Sequence, residues 1–187
     1  MGFPKPKFPI KPPGGGMPPH LVPSTPKPAA PPDLEIVAIN VATDAGWFSS
    51  GFWYDEIEFT SASDLVAQVL ARSKGRKVRR LRIMDHGEYS AASGGLVDFG
   101  TDTVAGWNFK TYESTFRLLR PCFGAGAVVH LMHCYVGNDT DLMNQFVAAF
   151  NCDVLAGLGK TNGVLNTNFG GYQYFTRTGV SYGSPYL

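Results

Sequence analysis

"AVVHLMHCYVG", residues 127–137, carries two messages. Its first part is apolar at nearly every position and rich in β-branched residues, the pattern of a strand buried on both faces of a sheet. Its second part ends that strand on a thiol, Cys134, where a loop must begin. "KVRRLRIMDHG", residues 77–87, repeats the design and closes on an imidazole, His86, followed by Gly87. Ligand sites in α/β sheets form outside the carboxyl ends of the strands. Two ionisable groups at two such ends therefore point to chemistry there.

The neighbouring segments alternate between strand and helix patterns. "LEIVAINV" (34–41) predicts a first strand, and "GWFSSGFWYDEIEF" (46–59) a loop plus a strand. "SASDLVAQVLARSKG" (61–75) predicts a helix capped by Ser61 or Ser63, with Leu65, Val66, Val69 and Leu70 on one face and Gly75 as its stop. "GLVDFGTDTVAGW" (95–107) predicts two short strands about a turn, and "TYESTFRLLR" (111–120) a helix that Pro121 ends. "NDTDLMNQFVAAF" (138–150) predicts a helix with Asp139 or Thr140 as cap, and "DVLAGLG" (153–159) another core strand. Apolar strands alternating with amphipathic helices predict an α/β three-layer sandwich, a mostly parallel sheet with helices on both faces.

Residues 1–32 stand apart. They hold 12 of the 14 prolines and four lysines, with no Asp, Glu or Arg. That composition predicts an extended, basic, disordered arm of polyproline character, leaving residues 33–187 as the α/β domain. With four cationic residues in the arm, the remaining 155 residues set 12 Lys or Arg against 15 Asp or Glu, a formal charge of −3. Such a domain has no basic surface for phosphates, so no nucleic-acid partner is expected. "RKVRRLR" (76–82) reads as the solvated mouth of a strand. No stretch reaches the length of a membrane span, and no apolar region follows the N-terminal charges. A protein made in the cytoplasm is expected, with secretion by a route lacking a cleaved signal left open. Cys122, Cys134 and Cys152 are odd in number and irregularly spaced, which does not make a disulfide framework.

A cysteine attacks as its thiolate, so it needs a base or a cation nearby, and an imidazole supplies either. If the strands that end on His86 and Cys134 are neighbours, the two side chains meet above the sheet. A helix starting at Asp139 or Thr140 would turn its positive end toward Cys134. Gly87, without a side chain, would let a substrate carbonyl reach backbone N–H groups.

In this order and strand context, "LRIMDHG", "VVHLMHCYVG" and "FNCDVLAGLGKTNG" resemble the caspase and gingipain clan of cysteine peptidases. More narrowly they resemble the caspase-related bacterial domain of unknown function whose pattern runs from Ser-His-Gly, through Gly-Cys-x-x-Gly, to a strand rich in Val and Ala. The resemblance spans roughly residues 34–180. It implies a caspase-like fold and a His86–Cys134 dyad, with Cys134 as nucleophile, His86 protonating the leaving amine, and backbone at Gly87 and Cys134 forming the oxyanion hole. Two positions depart from the narrower pattern: Asp85 stands where Ser is usual, and His133 where Gly is usual. The caspase Gln-Ala-Cys signature is absent, so cleavage after Asp is not implied.

The expected function is a cysteine peptidase acting on a protein or peptide, of the kind a bacterial effector or toxin would carry, with the Pro-rich arm docking to a delivery or partner protein. A catalytically silent peptidase-like binding module and another thiol acyl-transfer hydrolase remain as alternatives. Glu88, Asp139 and Asp141 follow the two motifs and are candidate substrate-binding residues for a basic side chain, although helix capping explains Asp139 and Asp141 equally well. No cofactor is expected. No metal is expected either, because His130 and His133 fall on opposite faces of a strand and no Cys-x-x-Cys is present. His130 reads as a satisfied core histidine, His133 as projecting away from Cys134, and Cys122 and Cys152 as structural.

Overall fold

In the computed structural model the apolar runs seen in the sequence lie side by side. Residues 33–40, 42, 55–162 and 167–183 are described; the expected arm and most of the 46–59 segment fall outside them. By contacts the chain divides into Met1–Ala30 and Pro31–Leu187, and every described residue belongs to the second unit. Its strands are β1 (Leu34–Ile39), β2 (Glu56–Glu58), β3 (Val78–Met84), β4 (Gly87–Ser90), β5 (Gly94–Phe99), β6 (Asp102–Ala105), β7 (Phe123–Leu131), β8 (Asp153–Gly157), β9 (Thr161–Asn162), β10 (Thr167–Asn168), β11 (Tyr172–Thr176) and β12 (Gly179–Gly183). Its helices are α1 (Ala62–Ser73), α2 (Phe109–Arg117) and α3 (Thr140–Phe150).

Seven strands form one mixed sheet in the order β2-β1-β3-β7-β8-β11-β12. Neighbours from β2 to β8 pair in parallel, and β11 runs antiparallel to both β8 and β12. The protein is thus α/β with a mostly parallel sheet. From β1 the chain first goes outward to β2 and then returns to β3 on the other side, so the strand order reverses between β1 and β3. Open α/β sheets present their crevice at such a point. A separate antiparallel sheet, β4-β5-β6, follows β3 at once. The hairpin β5-β6 matches expectation; β4 does not appear in the sequence pattern, because "GEYS" is short and mostly exposed.

Helix boundaries follow their caps. Ser61 accepts the Asp64 N–H and opens α1, while Lys74, at φ 46°, closes it one residue before the expected glycine. Leu65, Val66 and Val69 are buried as their spacing predicts, but Leu70 is 39% exposed and lies off that face. Pro121 sits within a 3-10 turn at Arg120–Cys122, past the end of α2. Asp139 caps α3 through the Leu142 N–H at 2.9 Å.

Among the described residues all three helices contribute to one core cluster on one face of the large sheet, with Leu65 and Val69 from α1, Phe116 from α2, and Phe146 and Phe150 from α3. The expected helices on both faces are therefore not found among them: the apolar faces of these helices all pack on the same side. There Phe116 meets Phe99 at 5.1 Å and Phe146 at 5.5 Å between ring centroids, tilted geometries that aromatic pairs favour. On the opposite face the described residues show a small cluster of Val37, Ile39, Met84 and Met132. The basic run of β3 lies along that face, where Glu35 accepts from Arg79 and Arg82.

Candidate functional site

The ladder between β3 and β7 sets the geometry of the site. Leu81 pairs with Val129, Arg82 with His130 and Ile83 with Leu131, a constant offset of 48 positions (131 − 83). His86 and Cys134 have the same offset (134 − 86). Each thus lies three residues past the last ladder pair, Ile83 and Leu131, off the carboxyl ends of adjacent parallel strands. The backbones remain in contact past the ladder: a β-carbon on Gly87 would stand 2.8 Å from the His133 Cβ and 2.7 Å from Val136 Cγ1. Only glycine fits there without displacing the Cys134 segment.

Asp85 secures the His86 side. Its carboxylate is buried and accepts the His86 N–H at 2.8 Å, the Gly100 N–H at 2.7 Å and the Asn40 side-chain amide at 3.0 Å. Asn40 closes β1, so Asp85 joins the ends of β1 and β3 to the turn between β5 and β6. A serine hydroxyl at this position has too few acceptor sites for all three donors.

Cys134 is half-buried. Its Sγ receives the Thr161 N–H at 3.4 Å, and the Thr161 hydroxyl donates to the His133 carbonyl at 3.0 Å. The β9–β10 pair that presents Thr161 is tied to Gly159 by Asn168, which accepts from Gly159 N–H and donates to Gly159 O and Thr161 Oγ1. Directly after the thiol, Tyr135 adopts φ 64°, a left-handed conformation uncommon for a bulky residue. Its N–H is anchored on Gly159 O at 2.8 Å. Such local strain clusters at functional turns.

The helix after Cys134 begins where its cap residue predicts, but a 3-10 turn at Val136–Asn138 intervenes. Both Asp139 oxygens are committed, Oδ1 to Leu142 N–H and Oδ2 to Gly95 N–H at 2.7 Å. A carboxylate thus already occupies the positive end of α3.

The proposed substrate-binding residues divide between two recesses. Glu88 shares a cavity of about 430 Å³ with His86, Gly87, Leu96, Asp98 and Thr103. Asp139 and Asp141 line another, of about 270 Å³, with Tyr89, Ser90 and Asn138. Asp98 is an acidic lining residue that motif spacing does not reveal; its carboxylate accepts the Thr103 hydroxyl at 2.6 Å.

The two further histidines differ from expectation. β7 ends at Leu131, so strand alternation does not govern His133. His133 is fully buried against Phe99, with 5.7 Å between ring centroids. Burial holds its imidazole below the usual range, opposed chiefly by the nearby Asp85 charge. His130 is buried as expected but not satisfied: neither ring nitrogen has a hydrogen-bond partner among the described residues. Burial, aided by Arg82 and Arg80, pushes its pKa down to about 3, and its ring meets Tyr172 edge-on at 5.3 Å. Among the described residues no group of three or more His, Cys, Asp and Glu is disposed to hold a metal ion, and no helix is long and apolar enough to cross a membrane.

Compared with known proteins, the chain matches no family model, and no curated protein matches it. An exposed imidazole and a half-buried thiol follow the ends of adjacent strands, with Gly87 against the Cys134 carbonyl and a cavity beside the imidazole.

Proposed function

We propose that residues 33–187 form a caspase-like cysteine peptidase domain that attacks a peptide carbonyl with Cys134 while His86 handles the proton. The observation that supports this reading is the 48-residue ladder offset, by which His86 and Cys134 each follow the same ladder pair by three residues on neighbouring strands. In the reaction the Cys134 sulfur adds to the scissile carbonyl, and His86 delivers a proton to the departing amine. The backbone N–H groups of Gly87 and Cys134 receive the oxyanion. The Thr161 N–H, 3.4 Å from the sulfur, holds it in place beside the carbonyl. Substrate enters over the cavity that Glu88 and Asp98 line, where their charge favours a basic side chain.

Cys134→Ala and His86→Ala test this. Each should abolish cleavage of a peptide library and leave the melting temperature nearly unchanged, since neither side chain belongs to the core. Residues acting as one unit are not additive, so the double variant should be no worse than either single one by more than a small factor. If the wild-type protein cleaves nothing in a broad library while both variants keep wild-type affinity for the same partner, the domain is a binding module.

A further inference from the structure

We propose that His133 is a positioning residue for this reaction, fixing Cys134 relative to His86 through the backbone of Asp98; the inference rests on the dyad reading above. His133 immediately precedes Cys134, and its Nε2 lies 2.9 Å from the Asp98 carbonyl oxygen. A carbonyl only accepts, so Nε2 carries the proton and donates it. The N–H of the same Asp98 donates to the His86 carbonyl at 3.0 Å. One residue of β5 therefore grips the segment before the nucleophile with its C=O and the proton-transfer histidine with its N–H. Gly87 pairs with Val97 beside this link, and the His133 Cβ closes the gap over Gly87.

The other nitrogen supports the same conclusion. Nδ1 of His133 is buried and has no partner among the described residues. A buried polar atom without a hydrogen bond costs stability, and an apolar ring of similar size would fill the space against Phe99 without that cost. What the imidazole adds over such a ring is its Nε2–H. Burial keeps the ring neutral, in keeping with a fixed donor rather than a proton carrier.

His133→Phe keeps a ring and removes the donor, whereas His133→Gln places an amide N–H at comparable reach. The readouts are the iodoacetamide alkylation rate of Cys134 at neutral pH, with buried Cys122 and Cys152 of the same molecule as the standard for folding, and kcat and KM on a peptide substrate. His86→Ala sets the rate without the dyad. We expect His133→Phe to slow alkylation about tenfold, toward the His86→Ala rate, and to lower kcat with KM little changed. His133→Gln should stay within about threefold of wild type. Should His133→Phe not fold, His133→Asn replaces it, because its amide stops short of Asp98 O and should behave the same way. Wild-type rates in a folded Phe or Asn variant overturn the positioning role, as does a Gln variant no better than either. If His86→Ala alkylates like wild type, it is the dyad reading that fails, and that result is distinct.

Discussion

A β-carbon placed on Gly87 would stand 3.2 Å from the carbonyl oxygen of Cys134. The residue after the imidazole and the candidate nucleophile thus meet backbone to backbone. Gly87→Ala should push these segments apart by a few tenths of an ångström or more, lowering stability by about 1–3 kcal/mol as overpacking does. Turnover should fall further than the folded fraction does, since misplacement near the reacting atoms is costly. Activity per folded molecule, from a melt and a rate measured on one sample, checks this; an unchanged value would mean that Gly87 serves packing alone.

Asp85→Asn keeps the shape of the side chain but swaps an acceptor oxygen for a donor amide facing the N–H groups of His86 and Gly100 and the amide of Asn40. A loss of about 2–4 kcal/mol is expected, because a buried donor is left facing donors. Urea unfolding measures it. A loss below about 0.5 kcal/mol, the range of ordinary surface changes, would mean that these bonds contribute little.

The three thiols should alkylate at very different rates at neutral pH. Burial, with Asp153 beside it, pushes the Cys152 thiol up to about 12, leaving about one molecule in 10⁵ as thiolate. Cys134 is the one cysteine that is not buried, and it should label first. Mass spectrometry after a brief iodoacetamide pulse ranks them. Labelling of Cys152 ahead of Cys134 would contradict this order.

Acid should destabilise the domain through His130. Folded, its pKa is about 3; unfolded, the ring returns to about 6.5. Below the unfolded value the unfolded chain takes up a proton that the native protein refuses, so stability is full above about pH 6.5 and is lost as pH falls toward 3. His133, also lowered chiefly by burial, acts in the same direction. Together they should remove on the order of a few kcal/mol by about pH 4. His130→Leu should flatten the profile in urea titrations across this range; parallel profiles for variant and wild type would assign the acid sensitivity elsewhere.

Much of the architecture was legible because it depends on side-chain character at short range. The β-branched runs became β1, β3, β7 and β8, and the caps at Ser61 and Asp139 stand where their side chains can take an N–H. β4 was not legible: Gly87–Ser90 has no apolar alternation and owes its strand form to pairing with β5. The His86 and Cys134 strand ends were visible as residue types, whereas their support was not. His133 bonds a main-chain carbonyl and Cys134 receives a main-chain N–H. Main-chain partners are the same at every position and leave no trace in residue identity. Asn168, in β10, is likewise bound to glycine backbone, which the Gly- and Asn-rich composition around it does not mark.

The 48-residue offset between β3 and β7 also bears on the order of biosynthesis. Half of the candidate site is made early and half late, with a small sheet and a helix translated in between, and neither half holds the other until β7 pairs beside β3. During synthesis the nascent chain carries an ordinary histidine and then an ordinary cysteine. The proposed reactivity would thus be a property of the completed tertiary structure, gained by the domain only on folding.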